Sequence, residues 1–119
     1  MRAACVGIAL FCLLSPNPVV AVGHKTGSDL YNECRANEAD PVYFQRSSSC
    51  ISYISGVLDS WMLDKVKIGN RHECIPVITG GEAKRIVIIY ANKHPEDVRF
   101  PAVMLVRLAF SAAYPACLT

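Results

Sequence analysis

The chain has 119 residues, of which 52% are hydrophobic and 18% charged, with a formal net charge of +2 and six cysteines. A chain this short makes one domain with a modest core. The near balance of charge, without a basic block, argues against a nucleic-acid partner.

Met1-Arg2 is followed by an apolar run from Ala3 to Leu14, then by Ser15-Pro16-Asn17-Pro18-Val19-Val20-Ala21. A positive start, a short apolar stretch and small residues before a cut predict a secretory signal peptide over 1–21, cleaved after Ala21. The run falls short of the ~20 apolar residues that span a bilayer, so no stable membrane insertion is expected. Phe11 before Cys12 argues against lipidation. What remains, 22–119, is a single exported, periplasmic domain of about 98 residues. Cys5 and Cys12 leave with the signal, and Cys34, Cys50, Cys74 and Cys117 remain. In an oxidising compartment such a set reads as a disulfide framework.

The first helix is expected from a Ser28 cap to Cys34, with Asp29 near its positive end. Asp40-Pro41 signals a second start. From there Cys50, Tyr53, Ile54, Val57, Leu58, Trp61 and Met62 repeat at steps of three and four, an amphipathic stripe. A loop is expected over 64–78. Thr79-Gly80-Gly81-Glu82 then forms a capping box, opening a helix with Ala83, Ile86, Val87, Tyr90 and Ala91 on one side. The β-branched run 86–89 also suits a buried strand. His94-Pro95 ends that element. Ala102, Leu105, Val106, Ala109, Phe110 and Ala113 mark a last helix, widened by Met104 and Leu108. That breadth implies a central helix or one that meets a second subunit.

The expected fold is therefore all-α, a small four-helix domain stapled by two disulfides. Nearest-partner reasoning favours Cys34–Cys50 and Cys74–Cys117, among the three pairings that four cysteines allow. Gly56, which costs about 1 kcal/mol inside a helix relative to Ala, is expected to permit close approach of another helix. Trp61 reads as core, with a contact anchor as the alternative. Arg107 interrupts an apolar helix and needs a carboxylate partner if buried.

An enzyme needs a nucleophile with a base, a metal set or placed carboxylates. His24, His72 and His94 fall in loops or tails, with no CxxC and no HExxH. A pair of His94 with any thiol can be drawn, but bridged thiols are not nucleophiles. No catalytic residue, cofactor or metal is expected.

Cys50-x-x-Tyr53-Ile54-x-Gly56, Cys74-Ile75-Pro76, Tyr90-x-x-x-His94-Pro95 and Pro115-x-Cys117, in that order, resemble the pattern of the Tai/Rap immunity proteins. These protect bacteria from peptidoglycan amidases injected by type VI secretion. The likeness runs from Ser28 to Cys117, and Ala116 separates the closing Pro-Cys pair. The resemblance implies a periplasmic helical inhibitor, not an enzyme, that dimerises and blocks the cleft of a Cys–His amidase. It makes the cysteines, Tyr53, Gly56 and Pro76 scaffold residues. The recognition surface is expected in variable loops instead, over 65–73 and 92–100. Lys67, Asn70, Arg71, His72, Lys93, Glu96 and Arg99 are its candidate contacts. The competing reading is a structural or acid-stress-chaperone-like envelope protein, for which the chain offers few titratable groups.

Overall fold

The computed structural model describes residues 23–67 and 75–118, with side chains described over 23–63 and 75–116. Four helices appear in order: α1 (Gly27–Cys34), α2 (Tyr43–Lys67), α3 (Gly80–Lys93) and α4 (Ala102–Ala113). Short 3₁₀ segments occupy Pro95–Arg99 and Pro115–Leu118. Among the described residues, the only β feature is an isolated bridge between Thr26 and Pro101. No described helix is long and apolar enough to cross a membrane.

The cap of α1 lies two residues upstream of the expected Ser28. Thr26 Oγ1 accepts from the Asp29 amide at 3.1 Å, and the Thr26 amide donates to Asp29 Oδ2 at 3.3 Å. This reciprocal pair satisfies two amides where a Ser28 cap would satisfy one. Asp29 titrates below its usual value because it accepts from the Thr26 hydroxyl and amide.

The start of α2 falls at Tyr43, two residues past the expected Pro41, and Asp40 forms the turn that leads into it. The Asp40 side chain accepts from the Val42 amide at 3.0 Å and its carbonyl from the Tyr43 amide at 2.9 Å. The helix then continues past the expected stop at 64, to Lys67. Residues 64–67 contain no Gly or Pro, and the first breaker is Gly69. Of the stripe, Cys50, Ile54 and Trp61 are buried, while Tyr53, Val57 and Leu58 are half-buried against the core.

The capping box of α3 forms as predicted: the Glu82 amide donates to Thr79 Oγ1 at 3.2 Å and the Thr79 amide to Glu82 Oε2 at 2.7 Å. Ala83, Val87 and Ala91 are buried, a four-residue repeat that settles the 86–89 run as helix rather than strand. Run as a helix, that segment leaves Ile89 partly exposed.

Helix α4 is central, touching α1, α2 and α3. Ala102, Leu105, Val106, Ala109 and Phe110 are buried, whereas Ala113, Val103 and Met104 face outward. Its start is tied to the chain before α1: the Gly27 amide donates to the Phe100 carbonyl at 2.7 Å, and the Ala102 amide to the Lys25 carbonyl at 2.8 Å.

Cys34 and Cys50 form a disulfide with Cα atoms 5.1 Å apart, joining the end of α1 to α2. Closing a loop of 16 residues stabilises the fold by about 3 kcal/mol in the chain-entropy view. Of the expected Cys74–Cys117 pair, Cys74 lies outside the described residues and Cys117 outside the described side chains, and the expected signal segment also lies outside the described residues.

One expectation about α2 needs correction, and the condition attached to Arg107 of α4 is not met. A Cβ built on Gly56 meets nothing within 4 Å, so no described helix approaches it closely. Arg107 is exposed, and its guanidinium faces the Trp61 ring at 5.2 Å, an aromatic neighbour rather than a carboxylate.

Candidate functional site

The candidate contacts whose side chains are described meet at one corner of the fold. Helix α3 ends at Lys93, because Pro95 has no amide to continue it. Pro95 instead opens the 3₁₀ segment, in which the Asp97 amide donates to the His94 carbonyl at 3.0 Å and the Phe100 amide to the Asp97 carbonyl at 3.1 Å.

Side chains lock this turn. The Tyr90 hydroxyl donates to Asp97 Oδ2 at 2.7 Å, and the Tyr90 ring stacks on His94 with centroids 4.4 Å apart. Arg99 Nε donates to the Glu96 carbonyl at 3.1 Å. His94 Nδ1 lies 3.6 Å from Glu96 Oε1, an ion pair only when the imidazole is protonated. On the other side, the Tyr31 hydroxyl donates to Asn92 Oδ1 at 2.5 Å, linking α1 to the end of α3.

Burial and then the hydrogen bond to Asp97 push the Tyr90 hydroxyl up to about 12. The phenol therefore remains a donor at any physiological pH, and the bond keeps its direction. One carboxylate, Asp97, is committed inward. Lys93, Glu96 and Arg99 are left exposed, a ridge of mixed charge. Beside it, α3 and α4 form a shallow groove of about 350 Å³, lined by Ile86, Ile89, Tyr90, Ala109 and Ala113 with Lys93 at the margin.

His94, Glu96 and Asp97 could each offer a ligand atom within 4.8 Å of the others. Tyr90 already occupies Asp97, and exposed acidic groups of this kind are common without a cation. Cys34 and Cys50 are bridged, so neither is available as a nucleophile. What the corner can offer is shape and charge: a braced ridge beside an apolar shelf.

Lys93, Glu96 and Arg99 are thus brought together. Lys67 closes α2, with its side chain outside the described set, and Asn70, Arg71 and His72 lie outside the described residues altogether. Sequence reasoning missed Tyr90 and Asp97 as the braces, because seven residues and a proline separate them. It also missed the shelf. A signal existed, since four consecutive β-branched residues on a helix cannot all face inward.

Residues 26–117 match the family of Rap1a immunity proteins. The chain belongs to that family. The match opens at Thr26, the cap of α1, and closes at Cys117, so it spans all four helices. No significant match was found among curated proteins or among solved structures. Membership in the Rap1a family indicates immunity against secreted effectors, with an effector protein as partner. The Tai/Rap resemblance carried by Cys50, Tyr53, Gly56, Pro76 and His94-Pro95 agrees with that match.

Proposed function

We propose that this protein is a periplasmic immunity protein that neutralises a peptidoglycan amidase delivered by type VI secretion. It binds the amidase and occludes the catalytic cleft, contributing surface and no chemistry of its own. The signal-like segment 1–21 supplies export, placing the domain where such an amidase acts. A homodimer belongs to the same reading, and solution mass by light scattering tests it.

The observation that carries the proposal is the braced corner at Lys93–Phe100 in a member of an immunity family. Exposed Lys93, Glu96 and Arg99 stand on a turn already fixed by Tyr90–Asp97 and Tyr31–Asn92. A surface ordered before binding loses little conformational freedom on association. Its charges select the partner and set the encounter rate.

The test is calorimetric titration against a candidate amidase effector from a neighbouring gene, together with that enzyme's hydrolysis of peptidoglycan. Binding should be tight, and hydrolysis should stop at a stoichiometric ratio. A charge reversal, Lys93→Glu with Arg99→Glu, should weaken binding by about tenfold or more. Absence of binding at micromolar concentration would overturn the proposal.

A further inference from the structure

Gly56, Trp61 and Arg107 each stand out in the sequence, and none has a part in the corner just described. They line one groove between α2 and α4, of about 440 Å³, together with Val57 and Val103. We propose that this groove is a second interaction surface, which takes a protein segment presenting a carboxylate next to an apolar side chain.

The floor is Gly56. Its missing side chain serves no helix contact among the described residues, because a Cβ there would meet nothing within 4 Å. Glycine is an unfavourable choice in the middle of a helix, and here its effect is to leave depth in the groove. Val103 of α4, 41% exposed, and Val57 and Trp61 of α2 supply its apolar lining.

Charge decides the occupant. Arg107 is the one ionisable cation or acid lining the groove, and no ion pair to it occurs among the described residues. The remaining polar groups are the hydroxyls of Ser52, Ser60 and Tyr53. The guanidinium faces the Trp61 ring at 5.2 Å. Stacking leaves the N–H edges of an arginine free, and those edges match a carboxylate in a two-point fork. A single cation suits one carboxylate, whereas a polyphosphate or a nucleic acid calls for several. Apolar walls beside that cation call for an apolar neighbour on the same segment.

Trp61 is the only tryptophan of the chain, so fluorescence excited at the red edge, where the five tyrosines do not absorb, reports on this groove. The probes are the blocked peptides acetyl-Leu-Glu-Leu-amide, acetyl-Leu-Gln-Leu-amide and acetyl-Leu-Lys-Leu-amide. Each is titrated into the purified protein up to about 10 mM, the range suited to ligands this small. The Glu peptide should give a saturable change at least about fivefold tighter than the Gln peptide, and the Lys peptide none. Arg107→Gln should erase that preference, and Gly56→Leu should block all binding while the helical circular dichroism is retained. Equal responses to the Glu and Gln peptides, a response insensitive to Arg107→Gln, or no saturable response would each overturn the proposal. So would a saturable response to phosphatidylglycerol vesicles in place of the peptides. No effector is present in these titrations, so their outcome is independent of the immunity reading.

Discussion

Gly27→Ala tests how the candidate corner is held in place. Gly27 opens α1, and its amide donates to the Phe100 carbonyl at 2.7 Å. An added Cβ would sit 2.8 Å from the Val98 carbonyl oxygen and 3.0 Å from that of Phe100. Both are backbone atoms, which cannot rotate aside as a side chain end can. Opening the gap by a few tenths of an ångström loosens the Gly27–Phe100 bond and the neighbouring Ala102–Lys25 bond. Overpacking of this kind costs about 1–3 kcal/mol, and a weakened hydrogen bond adds about 1 kcal/mol. Reduced freedom of the unfolded chain returns about 0.4–1 kcal/mol. The expected net loss is about 2 kcal/mol, or roughly 8–16 °C in Tm for a domain of this size. Urea denaturation followed by circular dichroism measures it. Gly56→Ala is the control: with no contact to make inside a helix, it should stabilise by up to about 1 kcal/mol. The two substitutions are chemically identical, and only their surroundings differ. Equal effects, or a stable Gly27→Ala protein, would refute the steric account. If the account holds, Gly27→Ala should also weaken effector binding, because the segment it displaces leads directly into Arg99 and Phe100.

Replacing Cys34 and Cys50 together by Ala should lower stability by about 3 kcal/mol in equilibrium unfolding; non-reducing peptide mapping should recover Cys34–Cys50 and, as expected from the sequence, Cys74–Cys117. Tyr90, with its raised value of about 12, binds its proton more tightly folded than unfolded. The stability it contributes is complete below pH ~10 and is lost as the pH climbs toward 12, so alkaline unfolding of Tyr90→Phe should begin from a lower plateau but lose less over that interval. Asp29 and Glu82 are both held below their ordinary values by hydrogen bonds from their cap threonines, Thr26 and Thr79. Their contribution is present above pH ~4.5 and falls away in more acid solution, and a thermal-stability profile against pH should show the acid loss shrink in a Thr26→Ala, Thr79→Ala protein. The same double variant should lose about 2 kcal/mol at pH 7, about 1 kcal/mol for each cap.

Features decided within one turn of chain were legible from the residues alone. The Thr79–Glu82 box, the stop at His94-Pro95 and the buried stripe of α4 depend on spacing of three or four, which a sequence displays directly. Pairing of Cys34 with Cys50 was legible for a related reason, since a short connection brings the ends of α1 and α2 together. Where two local options competed, as at Thr26 and Ser28, the reciprocal cap prevailed over the single one.

The roles of Gly56, Trp61 and Arg107 were beyond such reading, because each depends on which helix lies alongside. Gly56 could have met a neighbour or open water, and its own turn holds no information to choose. Arg107 found an aromatic ring 46 residues earlier in the chain instead of an acid. The brace between Tyr90 and Asp97 likewise exists only because the chain reverses at Pro95. Spacing along the backbone sets what a helix buries, but distances through space set what its exposed groups can touch, and those distances belong to the assembled fold.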